Sequence, residues 1–354
     1  MNYNENAPDT GSEQRPAPTA QVYDRKYGYI EPSRLECKLL TRRVSCMGFA
    51  ASLSFFGMLL ISVCFSIVLV IAGVSEYVGT YGYTEVLYYA LDWIASLLPL
   101  GLCFYITSKI IKMPLNVAVR TNHVKLSDAI PLALAGVSIC LLANFPAQWL
   151  ESLFNGFGID LGSSDIYVPN TLPGIVLFFI TTALIPPLVE EFSFRGVMLG
   201  GMRKFGDFFA IMASALIFGM MHMSISSFPF AFLAGFVMGY VYVITGNIWV
   251  NVAIHFLNNA ISVVLSLSAE MLPDSTAVMV DLVVFYGFII IGLICLVVLA
   301  VRKRLPISLY KPSLHISGGD KVRCFILNPG FLTLLFIFTI YVTLNILSAN
   351  SILL

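Results

Sequence analysis

The chain has 354 residues, of which 58% are hydrophobic and only 11% are charged. A soluble domain carries about 25% charged residues, so these side chains are too few to cover a surface that faces water. Lysine plus arginine balance aspartate plus glutamate at 20 each, which argues against a nucleic-acid partner. The composition therefore predicts a protein whose main solvent, and first partner, is membrane lipid.

The first 45 residues are polar and contain no early apolar run, so the sequence predicts no cleavable signal peptide. We interpret residues 1 to about 30 as a disordered tail, because this composition cannot bury enough apolar surface to fold. The seven cysteines are scattered and form no CxxC pair, which indicates neither a disulfide framework nor a zinc knuckle. The following cysteines lie in apolar runs and are predicted to pack as small hydrophobic residues: Cys64, Cys103, Cys140 and Cys295.

Nine apolar segments are candidates for transmembrane helices, each of which needs about 20 residues. They are 46–73, 87–111, 128–149, 171–200, 207–223, 228–245, 248–268, 276–301 and 326–348. The fifth is short and ambiguous. The prediction is an all-α polytopic bundle of about nine spans. Its expected parts are a partly disordered cytoplasmic tail (1–45), three N-terminal helices (46–170), a core with the candidate site (171–268) and two C-terminal helices (269–354).

The loops predict the orientation, because cytoplasmic loops carry an excess of lysine and arginine. With nine spans, every basic loop falls on one side of the bilayer: the tail, the loop after span two, the linker after span four and the segment after span eight. The charged residues of the alternate loops are all acidic. The N-terminus is therefore expected in the cytoplasm and the C-terminus outside.

The fourth span is unusual because Glu190 and Glu191 are adjacent and Arg195 follows them. A charged side chain at mid-membrane costs roughly 2.5 to 3.5 kcal/mol even on the mild insertion scale, so such residues are candidates for function. Glu191 and Arg195 can pair across one helical turn, whereas Glu190 points about 100° away. Glu190 would then lack a local cation and suit a general base or acid. Pro186 and Pro187 are expected to disturb the helix and free backbone carbonyls.

Two of the four histidines lie in apolar spans. His222 follows Phe218 by four residues and His255 precedes Asn259 by four, so each pair shares a helix face. Glu190 and His222 each lie roughly 24 Å from the turn expected at 205–207, which sets them level in an antiparallel hairpin. His255 joins them if that hairpin protrudes about 10 Å into the cytoplasm. Imidazole at this depth can serve as a base, a hydrogen-bond donor or a metal ligand.

At these residues the sequence resembles the CPBP family of intramembrane proteases, also called the CAAX-protease and bacteriocin-processing (Abi) family. The family pattern is EExxxR, then FxxxH, then HxxxN or HxxxD on successive membrane helices. It is matched by Glu190 to Arg195, by Phe218 to His222 and by His255 to Asn259. Each motif alone is weak, but the three in order form a specific signal over residues 171–262, about a quarter of the chain.

The resemblance implies hydrolysis of a peptide bond in a membrane-associated protein or peptide, by an enzyme of the bacterial cell membrane. Family precedents are C-terminal processing of prenylated proteins and maturation of, or immunity to, bacteriocins. The implied catalytic carboxylate is Glu190, with His222 beside it. The resemblance further implies that His255 and Asn259 stabilise the oxyanion and orient the substrate. The implied supporting residues are Glu191, Arg195 and Phe218.

The use of a metal stays open at this stage. Glu190, His222 and His255 could supply three zinc ligands with a free fourth position. The chain has no HExxH motif, and Asn259 is a poor zinc ligand but a good oxyanion donor. We therefore favour a mechanism without a cofactor, with zinc as the alternative.

Two functions of other classes also stay open. In a non-catalytic membrane scaffold or partner protein, Glu190, Glu191 and Arg195 would lock helices together as a structural ion-pair cluster. In a proton-coupled transporter, Glu190 and the two histidines would relay protons.

Overall fold

A computed structural model of the protein describes residues 22–24, 28–71, 82–162, 168–305 and 309–351. Most of the tail expected to be disordered lies outside these residues. Inside it, Val22–Asp24 (β1) and Gly28–Ile30 (β2) form a short antiparallel hairpin. The expectation of disorder up to about residue 30 was therefore wrong for this hairpin.

The described chain is otherwise built of helices, which confirms the predicted all-α polytopic bundle. The helices are α1 (Pro32–Ile71), α2 (Gly82–Ile110), α3 (Leu115–Ala118), α4 (Leu126–Leu142), α5 (Asn144–Gly156), α6 (Leu172–Phe205), α7 (Asp207–Met221), α8 (Phe228–Thr245), α9 (Ile248–Met271), α10 (Asp274–Val301), α11 (Gly318–Ile326) and α12 (Pro329–Ala349). Helix α1 packs on α2 and α12, and α4 packs on α8, α9 and α10. The chain is a multi-pass integral membrane protein.

Eight helical segments of the described chain are long and apolar enough to cross a membrane. Helix α7, the fifth predicted span, has only 15 residues and is about 22 Å long, against a hydrocarbon core of about 30 Å. Helix α7 packs on α8 and α6, so it is covered by protein on those sides. The nine predicted segments thus all correspond to helices, with α7 as the shortest.

Helix α1 begins at Pro32, not near residue 46 as predicted, and has 40 residues. At 1.5 Å per residue it is about 60 Å long, twice the thickness of the hydrocarbon core. Its charged first turns therefore project beyond the membrane, where the Glu36 carboxylate accepts hydrogen bonds from the backbone of His315 and Ile316. The predicted boundary was late because apolar content marks where a helix enters lipid and not where it starts.

Cys37 in α1 and Cys324 in α11 form a disulfide across 287 residues of sequence, which corrects the expectation that no disulfide is present. Both cysteines lie on the side expected to be cytoplasmic. Of the cysteines predicted to be buried hydrophobic residues, Cys140 and Cys295 are buried, Cys103 is partly buried and Cys64 is exposed. Spacing alone did not reveal the pair, because its two halves meet only after the helices have packed.

Helix α6 is not a regular α-helix. It is α-helical at Leu172–Phe179 and Ile185–Glu190, and it widens into π-helix at Ile180–Leu184 and Glu191–Leu199. π-Helical turns are rare and are frequently found at functional sites. The two glutamates of the first motif lie at the junction of the second α-helical and π-helical segments.

The turn of the first hairpin falls at 205–207, where the sequence predicts it, and a second hairpin turn lies between α8 and α9. Gly206, between α6 and α7, has φ 116°, and Gly246, between α8 and α9, has φ 57°. Glycine suits both turns because it adopts positive φ without steric cost. At the first turn, Arg203 pairs with Asp207 at 2.7 Å. These turns fix the heights of the motif residues on α6, α7 and α9.

Candidate active site

The three motifs meet at one cavity of about 90 Å³. Glu190 reaches it from α6, His222 from the end of α7, and His255 from α9. Phe218 and Asn259 also line it. The predicted convergence of one carboxylate and two imidazoles is therefore confirmed.

Glu191 is the best-satisfied charged group of the site. Its side chain is fully buried, and Oε1 lies 3.0 Å from Arg195 Nη1 and 2.9 Å from His255 Nδ1. Oε2 accepts a hydrogen bond from Asn251 at 3.3 Å. The ion pair with Arg195 that the four-residue spacing predicts is thus present. The role of this carboxylate is to neutralise Arg195 and to orient His255, since it has no direct access to the cavity.

Arg195 is 1% exposed and completes this buried cluster. Its guanidinium lies over the ring of Phe218, with 4.6 Å between Cζ and the ring centroid. An aromatic face attracts a desolvated cation, so Phe218 stabilises the charge on the side away from Glu191. The same ring contacts the imidazoles of His222 and His255 edge to face, at centroid distances of 4.9 and 6.1 Å. Phe218 thus contacts Arg195 and both histidines.

Glu190 differs from its neighbour, as the helical period predicts. Its side chain is 19% exposed, and its closest charged partner is His255, with 3.8 Å between Oε2 and Nε2. It lines the 90 Å³ cavity and also a second cavity of about 150 Å³, which shares Phe218 and His222 with the first. A carboxylate that is accessible and close to an imidazole, yet free of an arginine, can hold and activate a water molecule.

The orientation of both histidines follows from their hydrogen bonds. His222 Nδ1 donates to the backbone carbonyl of Phe218 at 2.9 Å, because a carbonyl oxygen can only accept. His255 Nδ1 likewise donates to Glu191. Each Nδ1 therefore carries a proton, and each Nε2 is left for the cavity. When protonated, either ring presents an Nε2–H donor there; when neutral, it presents a lone pair.

The amide of Asn259 is fixed by a carbonyl that two prolines set free. Thr182 O would bond to residue 186 in an α-helix or to residue 187 in a π-helix, but Pro186 and Pro187 have no N–H. Asn259 Nδ2 donates to this oxygen at 3.0 Å, which agrees with the expectation that the prolines free backbone carbonyls. The second N–H of the amide remains for a ligand.

Sequence reasoning missed Asn251, which is fully buried and donates to Glu191 and, at 2.6 Å, to Met238 O. A signal for it was available, because Asn251 precedes His255 by four residues and so lies on the same helix face. It also missed Asn258 and Cys140, both of which line the cavity. Asn258 donates to the side-chain oxygen of Asn259 at 3.3 Å and so helps to orient that amide.

Zinc stays the alternative to the metal-free mechanism. Among the described residues no group of three or more histidine, cysteine, aspartate or glutamate side chains is placed to hold a metal ion. The hydrogen bond from His255 Nδ1 to Glu191 leaves Nε2 free, and a zinc-ligating histidine commonly has such a carboxylate partner. The candidate ligands Glu190, His222 and His255 share the cavity without forming such a group. No step is therefore assigned to a metal here.

Fold and site together define the class of protein: a multi-pass membrane protein with a carboxylate, two imidazoles and an amide around one buried cavity. Comparison with known proteins agrees with that class. Residues 172–261 match the family described as "Type II CAAX prenyl endopeptidase Rce1-like". All three motifs lie inside the matched segment, and the match supports the resemblance to the CPBP family that they predict.

Two curated bacterial proteins are similar to parts of the chain. The "Putative membrane peptidase YdiL" of Bacillus subtilis is 27% identical over 136 residues, which cover 38% of this chain and 55% of the relative. The "Membrane-embedded CAAX protease MroQ" of Staphylococcus aureus is 27% identical over 175 residues, 47% of this chain and 70% of the relative. The chain thus spans little more than half the length of the first relative. No solved structure shows significant similarity.

Proposed function

We propose that the protein is an intramembrane endopeptidase that hydrolyses a peptide bond in a membrane-associated protein or peptide. The observation that carries this proposal is the position of Glu190. Its Oε2 lies 3.8 Å from His255 Nε2 at a small cavity, whereas the neighbouring Glu191 is paired with Arg195. The family match and the printed names of both relatives support it.

Glu190 is the general base in this mechanism. It takes a proton from a water molecule in the cavity, and the oxygen attacks the carbonyl carbon of the scissile bond. The carbonyl oxygen becomes an oxyanion, which accepts hydrogen bonds from an imidazolium Nε2–H and from the free N–H of Asn259. Such preorganised donors commonly contribute the largest single part of the rate acceleration. The oxyanion then re-forms the carbonyl and the C–N bond breaks, while Glu190 passes its proton to the leaving amine, so that no proton is lost or gained.

The positions of the two histidines assign them different tasks. His255 is held by Glu191 and faces Glu190, so in its protonated form it stabilises the carboxylate before the reaction. His222 is held only by a backbone carbonyl and lines both cavities next to Glu190. It is therefore the better placed donor for the oxyanion.

The proposed substrate is a membrane-associated peptide, which can reach a site inside the membrane. The matched family description names a CAAX prenyl endopeptidase, and the Staphylococcus relative is named a CAAX protease. CAAX-type processing and bacteriocin maturation or immunity both present a peptide that is tethered to, or inserted in, lipid. A membrane-associated peptide is the feature that these substrates share.

The test is cleavage of a membrane-peptide library by the purified full-length protein in proteoliposomes, read by mass spectrometry. Wild type should release defined fragments, and Glu190→Ala should release none. Chelator-treated wild type should keep its activity under the metal-free mechanism, and loss of activity that zinc restores would favour the metal alternative. A wild type that cleaves nothing, with a cellular phenotype that survives Glu190→Ala, would favour a scaffold. Proton-driven uptake lost in the same variant would favour a transporter.

A further inference from the structure

A larger cavity of about 600 Å³ adjoins the catalytic one and has no role in the chemistry proposed above. It lies between α4, α5, α8, α9 and α10, and it shares Phe230, Asn258 and Asn259 with the catalytic cavity. Its volume is within the range of about 300–1,000 Å³ that ligand sites occupy. We name it the amide cavity, after the side chains of Asn144, Gln148, Asn258 and Asn259 that line it.

A polar stripe on α9 connects the two cavities. Asn258, Ser262 and Ser266 follow one another at four-residue intervals and all line the amide cavity. Residues at this spacing lie on one helix face, and His255 stands at the start of the same stripe. An extended peptide has a free N–H or C=O at every residue, and inside a membrane each of them needs a partner. The stripe offers such partners along a path that leads to Glu190.

Asp281 gives the amide cavity a charge. It lies about 10 Å from the start of α10, and it is the only charged residue of that helix after Asp274. Among the residues that the structure describes, Asp281 has no hydrogen-bond or ion-pair partner. The five helices around the cavity carry no lysine or arginine. Asp281 lines the cavity and is also exposed on the surface of the described chain. An accessible carboxylate without an internal cation can pair with a cationic side chain that enters from outside.

We propose that the amide cavity binds the part of the substrate next to the scissile bond, and that Asp281 selects a lysine or arginine side chain there. Helices α9 and α10 are neighbours joined at residues 272–273, so Asp281 is level with about residue 264 of α9. That is about 7.5 Å beyond Asn259 along α9. At about 3.3 Å per extended residue, the cationic side chain is two or three residues from the scissile bond. This inference rests on the proposed endopeptidase function.

Binding without turnover provides the first test. The full-length Glu190→Gln protein in detergent is titrated with fluorescein-labelled apolar decapeptides that differ by one central residue: lysine, glutamine or glutamate. The lysine peptide should bind about three-fold more tightly than the glutamine peptide, the value for one charge pair that stays accessible to solvent. Adding Asp281→Asn should remove this preference. Adding Asp274→Asn, a matched change on the same helix outside the cavity, should keep it.

Cleavage provides the second test. Sites cut by wild type in the peptide library should be enriched in lysine or arginine two or three residues from the cut bond, and Asp281→Lys should shift the enrichment to aspartate and glutamate. A wild type that cuts peptides with no charge preference, or a preference that survives Asp281→Asn, overturns the inference and leaves the endopeptidase intact. If the lysine peptide binds more tightly but wild type cleaves no peptide, the endopeptidase function is refuted. The amide cavity is then a binding site for cationic peptides that is not linked to cleavage.

Discussion

The adjacent glutamates allow the reasoning about charge to be tested by one matched pair of variants, Glu190→Gln and Glu191→Gln. Both substitutions replace a carboxylate by an amide of the same shape. Glu191→Gln leaves the Arg195 guanidinium, which is 1% exposed, without its counter-charge. Breaking a buried ion pair by removing one partner costs about 3–5 kcal/mol, so we expect a loss of stability in that range.

Glu190→Gln removes no arginine partner, and its carboxylate is partly accessible and 3.8 Å from His255. The expected destabilisation is below about 1 kcal/mol, typical of an ion pair with access to solvent. Activity should disappear in this variant all the same, because an amide cannot accept the proton from water. The pair therefore separates catalysis from stability at neighbouring positions of one helix.

Thermal unfolding in detergent, followed with a thiol-reactive dye, measures the difference, because Cys140 and Cys295 are free and buried and become reactive on unfolding. At about 2–4 °C per kcal/mol, Glu191→Gln should melt roughly 10 °C below Glu190→Gln. Adding Arg195→Met to Glu191→Gln should recover part of the loss, since it removes the unpaired cation. Equal melting temperatures for the two single variants would refute the assignment of Glu191 as the structural carboxylate.

Three further predictions concern other parts of the molecule. Gly196→Ala should destabilise the protein in the same thermal assay, because the added Cβ would lie 2.4 Å from the backbone oxygen of Ala118; an unchanged melting temperature would show that α3 and α6 are not in close contact. Asn259→Ala should lower kcat by about 10²–10³-fold with KM little changed, as loss of an oxyanion donor does, and steady-state kinetics showing only a raised KM would contradict that role. Cys37 and Cys324 should be reduced thiols in growing cells, because the cytoplasm disfavours disulfides, and should oxidise after lysis. Alkylation before lysis followed by gel shift measures this, and a disulfide found in cells would place that side of the bundle outside.

The sequence was sufficient to predict those features that depend on periodicity. The helical repeat placed Glu191 with Arg195 and set Glu190 apart. The counted distances to the turn placed His222 level with Glu190, whereas His255 reached that level only on the added assumption that the hairpin protrudes. These inferences succeed because side chains four residues apart on a helix are neighbours whatever the rest of the chain does. Apolar length likewise identified the eight helical segments that are long enough to cross a membrane, since lipid demands it, but it also counted the shorter α7 as a ninth span.

Features that depend on packing between distant segments were not predictable from the one sequence. The hydrogen bond from Asn251 to Glu191 joins residues 60 apart, and no local pattern determines which buried carboxylate an asparagine will contact. The disulfide between Cys37 and Cys324 has the same origin, because it depends on α11 lying beside the projecting end of α1. The π-helical turns of α6 were signalled only indirectly, by the two prolines.

Those prolines have a consequence for the reach of the catalytic groups. Because neither Pro186 nor Pro187 can donate to Thr182 O, the oxygen is available to Asn259 and ties α9 to the widened turn of α6. A residue with an amide hydrogen at position 186 would compete for this oxygen from within its own helix. Asn259 would then keep only the longer hydrogen bond from Asn258, and its amide would be less firmly positioned in the cavity. Two prolines that cannot donate a backbone hydrogen bond thereby allow a hydrogen bond that links α6 to α9.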